Sequence, residues 1–193
     1  MEIKQKYIPI NTKRRSGQKI LGVKFIVSHD TGNIDTSAKE NVDYFIKSAN
    51  ESEASAHAFV DDIGVIECIP QDEKAWHVRR LIMVDNVKYG VDSNDYALGI
   101  ELCFFTDIER SRKAYNNYVE YIKELCKNYR ISASESVIGH YTLDPSRRKD
   151  PMDAFNMIKK TWDEFIKDLQ SDLTDTNDRD KIKEDIKKMV DLL

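Results

Sequence analysis

Two histidines, His29 and His140, each stand at the end of a run that reads as a β-strand, and Asp150 follows His140 by ten positions across an irregular stretch. Two imidazoles and a carboxylate form a three-ligand set suited to zinc, leaving a fourth position for water as hydrolysis requires. No compact H-E-x-x-H motif accompanies them. The same spacing also fits plainer roles: Asp150 directly before Pro151 has the look of a helix N-cap, and His29 that of a hydrogen-bonded strand-end histidine. Glu101 is harder to read as structural. It interrupts an apolar strand, where a carboxylate is costly to bury unless paired or bound. Period-two geometry turns Cys103 to the same side as Glu101, so a thiolate near the site competes with a small core residue.

The elements that must position these residues alternate. Gly22 to His29 is a β-rich run closed by the turn-forming Asp30-Thr31-Gly32-Asn33. Val42, Phe45, Ile46 and Ala49 recur at helical spacing after the cap-like Thr36-Ser37, predicting a helix over residues 37–49. His57 to Val60 and Val65 to Ile69 flank Asp61-Asp62-Ile63-Gly64 as a β-hairpin, and Ala97 to Phe105 is apolar enough for an interior strand. Ala114, Tyr118, Tyr121, Ile122, Leu125 and Tyr129 line one face of a long helix, and Val137-Ile138-Gly139 delivers His140 to a strand end. Pro151 suits the first turn of a final helix that buries Phe155, Ile158, Trp162, Phe165, Ile166 and Leu169. The expected fold is a single α/β domain, a central mixed β-sheet flanked by helices, with a C-terminal helical extension. The domain spans residues 1–170. Residues 171–193 read as a polar linker and an amphipathic helix carrying Ile182, Ile186, Met189, Val190 and Leu193, which either lies back on the body or makes a homodimer or inter-module contact.

Composition narrows the function. In 193 residues, 33% are charged and the formal net charge is −4, with basic residues scattered among acids, so no nucleic-acid partner is announced. Residues 1–10 carry charges throughout, so neither a secretory signal nor a stable membrane insertion is expected, and synthesis in the cytosol is the expectation. Cys68, Cys103 and Cys126 are widely spaced in apolar segments, as buried free thiols are.

Several segments together carry a family likeness: Val27-Ser28-His29-Asp30-Thr31-Gly32-Asn33, Ser55-Ala56-His57-Ala58-Phe59-Val60-Asp61, Ala75-Trp76-His77, Leu98-Gly99-Ile100-Glu101-Leu102, and Gly139-His140 through Asp144-Pro145 to Lys149-Asp150-Pro151. In order and spacing, from about residue 20 to about 168, the chain resembles the type 2 N-acetylmuramoyl-L-alanine amidases, which include phage lysins, wall-recycling amidases and animal peptidoglycan recognition proteins. The resemblance implies that His29, His140 and Asp150 bind Zn2+, that Glu101 is the general base for the water zinc activates, and that bacterial peptidoglycan is cut between the muramic acid lactyl group and L-alanine. Wall-recycling members place a lysine two residues before the aspartate ligand, where this chain has Arg148; Arg148 is therefore expected to stabilise the oxyanion, with Lys149 in reserve. His57, Trp76 and His77 are expected to contact substrate or line the cleft, although Trp76 equally suits a lid over the core. Arg79, Arg80 and Lys88 either read a substrate carboxylate or are solvated loop charges. Within that family, the lack of a visible secretion signal and of an obvious binding module leads to the expectation of a phage or prophage endolysin, made in the bacterial cytoplasm and released to the wall by a holin. A cytosolic muropeptide-recycling amidase and a non-catalytic peptidoglycan-binding module are the alternatives.

Overall fold

The computed structural model describes residues 1–79 and 92–171. The expected linker and amphipathic helix, apart from Ser171, lie outside these residues, as do Arg80 and Lys88.

Six strands, β1 (Glu2–Gln5), β2 (Phe25–Asp30), β3 (Ala58–Val60), β4 (Gly64–Glu67), β5 (Ala97–Leu102) and β6 (Val137–Gly139), form one sheet in the order β1-β4-β3-β5-β2-β6. Only the β3–β4 pair is antiparallel; the other four pairings are parallel, so the sheet is mixed. The helices are α1 (Ala38–Lys47), α2 (Ser93–Tyr96), α3 (Ile108–Tyr129), α4 (Ala133–Ser136), α5 (His140–Leu143), α6 (Met152–Met157) and α7 (Trp162–Gln170). Among the described residues no helix is long and apolar enough to cross a membrane.

Local chemistry explains the boundaries. Ser37 and Glu40 form a reciprocal capping box that starts α1, and Thr161 with Glu164 does the same for α7. Asp107 caps α3 by accepting from the backbone N–H groups of Glu109 and Arg110, and Arg130 closes it in a left-handed conformation with φ 55°. In the hairpin turn, Asp61 Oδ1 accepts from the N–H groups of Ile63 and Gly64, while its Oδ2 accepts from Ala38 N at the start of α1.

The buried residues of β2 divide by parity. Ile26, with Leu98 and Ile100 of β5, faces the larger core, which includes Tyr118 and Tyr121 of α3, Phe155 of α6 and Phe165 of α7. Phe25 and Val27 face a smaller cluster with Ala97, Ile138, Leu143 and Val78. Tyr118 reaches up from α3 to touch both central strands: its hydroxyl lies 2.7 Å from Ser28 Oγ and donates to the Ile100 carbonyl at 3.0 Å. All three cysteines are buried free thiols.

Four expectations need correction. The edge strand β1 is absent from the sequence reading because Glu-Ile-Lys-Gln offers one apolar residue; every residue of β1 is exposed, and charge on an edge strand discourages further pairing. β2 starts at Phe25 and runs through Asp30, so His29 is the strand's penultimate residue rather than its last. β5 stops at Leu102, which frees Cys103 from the strand's alternation; its Sγ accepts a long 3.7 Å contact from Asn41 Nδ2 of α1, and the residue is part of the larger core. The single final helix is two, α6 and α7, parted where Lys159 takes a left-handed φ of 58° before the Thr161 cap.

Candidate metal and catalytic centre

Parallel register assembles the site. His29 of β2 lies directly opposite Glu101 of β5, and neighbouring parallel strands sit about 4.8 Å apart, so both side chains rise side by side from the same face. On the other flank Ser28 lies opposite Gly139, which brings His140, the next residue after β6, beside His29. These positions are the carboxyl ends of parallel strands, where open α/β sheets form ligand crevices. The imidazole rings of His29 and His140 stand edge to face, with centroids 4.6 Å apart.

Asp150 arrives from the segment after α5. Its Oδ2 lies 2.8 Å from His29 Nδ1 and 3.0 Å from His140 Nδ1, and the three candidate donor atoms all fall within 4.8 Å of one another. Asp150 therefore uses its side chain at the site, not as a cap; Pro151 occupies the N-cap position of α6 without a side-chain bond. Asp30 fastens the arrangement. Its Oδ2 accepts from the N–H groups of Asp153 (3.1 Å) and Ala154 (3.3 Å) in the first turn of α6, tying the strand that carries His29 to the segment that carries Asp150.

The electrostatics are those of groups held away from water. Burial lowers His29 to about 4 despite its hydrogen bond to Asp150. Burial also pushes Asp150 up, but the hydrogen bonds and charges of His140 and His29 reverse this and hold its carboxyl far below the usual range. Burial raises Glu101 well above an ordinary glutamic acid; the charges of Asp150 and Asp30 add to the shift, and Arg148 opposes it. Glu101 Oε2 is screened from solvent and has no hydrogen-bond partner among the described residues. Two imidazole nitrogens, a carboxylate oxygen and an unsatisfied buried carboxyl oxygen around one space fit a divalent cation, which would compensate all of them together.

The centre opens into a cavity of about 520 Å³ whose walls include Phe45, Trp76, His77, Arg79, Arg147 and Arg148. Arg148 lines the cavity, whereas Lys149 is largely exposed and its Nζ pairs with Asp153 Oδ2 at 2.8 Å. Arg147 pairs with Asp144. Trp76 is half-buried on the wall. His57 is not on the wall: its Nδ1 accepts from Gly99 N at 3.0 Å and its Nε2 donates to the Glu73 carbonyl at 3.0 Å, so both ring nitrogens are occupied in the interior. His77 reaches the cavity but also spends both nitrogens, on His29 and on the Ala97 carbonyl. Sequence reasoning did not single out Asp30 as a fastening residue. The acid beside His29 was the available signal, but its partners are more than 120 positions away.

A mixed sheet that presents a three-donor group beside a buried carboxyl, in a cleft at the ends of its parallel strands, defines a class of α/β domain built around a metal-type centre. Within that class, the chain belongs to the Amidase_2 family, N-acetylmuramoyl-L-alanine amidase, whose family model matches residues 17–153. It is 33% identical over 141 residues to a probable N-acetylmuramoyl-L-alanine amidase of Bacillus licheniformis, covering 71% of this chain and 39% of that protein. It is 31% identical over 145 residues to the N-acetylmuramoyl-L-alanine amidase BlyA of Bacillus subtilis (strain 168), again covering 71% and 39%. The chain thus spans about two fifths of the length of these relatives. A solved structure of a mutant endolysin from Bacillus subtilis superposes with a TM-score of 0.69 at 25% identity, covering 88% of this chain and 99% of that one.

Proposed function

We propose that this chain is a zinc-dependent peptidoglycan amidase that hydrolyses the bond between the lactyl group of N-acetylmuramic acid and L-alanine. The observation that carries the proposal is the convergence of His29 Nδ1, His140 Nδ1 and Asp150 Oδ2 beside Glu101 at one end of the sheet. The names of the relatives support the bond, and the donor set supports the ion.

His29, His140 and Asp150 would hold the zinc, which when bound supplies Lewis acidity, polarising a carbonyl and lowering the pKa of water toward about 7. Glu101 stands across the strand pair from His29, takes the proton of the attacking water and returns it to the amine of the departing alanine. A cation at the three donors favours the ionised form of Glu101, which its burial alone opposes. Arg148, on the cavity wall, sets a permanent positive charge where negative charge develops on the lactyl carbonyl oxygen. Trp76 and Phe45 offer apolar wall to the sugar or peptide, and Arg79 adds positive charge to the wall, suited to an acidic group of the stem peptide.

The likeness to an endolysin structure favours intact wall as the substrate over small soluble muropeptides. Mass spectrometry of digested walls tests the bond directly: free lactyl carboxyl groups and peptides beginning at alanine are expected. Cleavage at any other bond, or retained wall binding with no new amine in the presence of zinc, refutes the proposal. Faster turnover of soluble muropeptides than of intact wall would remove the lysin assignment and leave the amidase.

A further inference from the structure

His77 belongs to none of the donors, yet it is built into the centre more firmly than a wall residue needs. Its backbone N–H donates to Asn94 Oδ1 at 3.1 Å, and the buried Asn94 side chain also takes the N–H and carbonyl of Val78, at 3.2 Å and 3.0 Å. Its ring rests on Gly99 of β5, two residues before Glu101 and on the same face. A Cβ at position 99 would lie 2.3 Å from His77 Cγ and 2.6 Å from its Nδ1, so only glycine leaves room for the imidazole.

The ring's hydrogen bonds have only one self-consistent assignment. His77 Nε2 lies 3.2 Å from the Ala97 carbonyl, which can only accept, so Nε2 carries the proton and Nδ1 of the neutral ring is a lone pair. That lone pair lies 3.1 Å from His29 Nε2, which must then be the donor. A neutral His29 protonated at Nε2 turns an unprotonated Nδ1 toward Asp150 Oδ2, 2.8 Å away. Either His29 carries a second proton there, which makes the hydrogen bond to Asp150, or the two lone pairs share a cation; in both cases Nε2 of His29 donates to His77. His140 has no such constraint: its Nε2 is buried without a partner among the described residues.

Resting on the three-donor assignment above, we propose that His77 is a positioning residue of the metal centre, seated on Gly99 and clamped by Asn94, that locks His29 in the tautomer whose Nδ1 is free to bind the ion. It orders the ligand before the ion arrives, as hydrogen-bond partners of metal-binding histidines generally do.

Imidazole nitrogen NMR of the unmodified protein reads the tautomers without any variant. His77 should be protonated at Nε2 and bare at Nδ1 with and without zinc, and His29 should be protonated at Nε2 when zinc is bound; a proton on His77 Nδ1 overturns the proposal. Zinc affinity, measured by chelator competition, should fall about 10–100-fold in His77→Leu. It should recover most of this in His77→Asn, whose amide oxygen falls near the Nδ1 position. Gly99→Ala, which displaces the ring while leaving every donor in place, should lower affinity in the same direction. Unchanged affinity in folded His77→Leu, when His29→Ala has lost zinc, overturns the positioning role and leaves the metal centre standing. Unchanged affinity in His29→Ala itself would overturn the three-donor assignment and the role of His77 with it.

Discussion

Replacing Glu101 by glutamine leaves the side chain's size almost unchanged and removes its ability to accept a proton. The residue lies opposite His29 in the β2–β5 register and supplies none of the three converging donor atoms, so zinc stoichiometry should stay at the wild-type value. Loss of a general base costs about 10²–10⁴-fold in turnover, or ~3–5 kcal/mol of transition-state stabilisation. Stability should move the other way. Burial, with the charges of Asp150 and Asp30, raises the folded pKa of Glu101 above its ordinary 4.5. Between those two values the folded chain holds a proton that the unfolded chain has released, so stability declines as pH rises through that window. Glutamine removes this decline, and in chelator the variant should be more stable than wild type at neutral pH and flatter in its pH dependence above 4.5. Initial rates of amine release from purified walls, zinc content by elemental analysis and urea unfolding between pH 5 and 8 measure the three effects. Turnover within about tenfold of wild type would exclude Glu101 as the base, and loss of zinc would make it a ligand.

Arg148→Ala should lower turnover on walls by at least about tenfold while zinc content holds, whereas Lys149→Ala, which gives up only the exposed pair with Asp153, should leave turnover near wild type; the reverse ranking would exchange their roles. His57, lowered to about 4 by burial from an ordinary 6.5, contributes stability that is present above pH 6.5 and lost as pH falls toward 4, with a full loss of ~3 kcal/mol. In chelator, His57→Gln should therefore show a shallower loss of unfolding free energy across that range, and parallel curves would refute the assignment of a neutral buried imidazole. Phe165 is fully buried among Phe155, Trp162, Tyr115 and Tyr118, so Phe165→Ala should cost ~3–5 kcal/mol by denaturant unfolding; a loss below ~1 kcal/mol would show that α7 is not part of the core.

The helical face of α3, the hairpin around Asp61-Asp62-Ile63-Gly64 and the three buried cysteines were legible from the chain because they depend on local periodicity, turn chemistry and hydrophobic environment. The candidate residues of the centre could be named from the chain, because Glu101 interrupts an apolar strand and His29, His140 and Asp150 lie in the segments that carry the family likeness; that the two histidines and the aspartate meet could not. β1 and the break between α6 and α7 were not legible. The first is held by pairing with β4 across sixty residues of sequence, and the second by a left-handed Lys159 that hydrophobic spacing does not register. Above all, tertiary structure decided which histidine does what. His29 closes a β-rich run, His57 opens a hairpin and His77 sits in a polar, loop-like stretch, and nothing in the sequence says how the three imidazoles stand to one another. Parallel register and the space over Gly99 alone determine that the first points a ring nitrogen at Asp150, that the second is consumed by backbone groups, and that the third stands behind the first. Hydrogen-bond partners set an imidazole's role, and here those partners come from chain segments tens of residues apart, which only the folded sheet brings within reach.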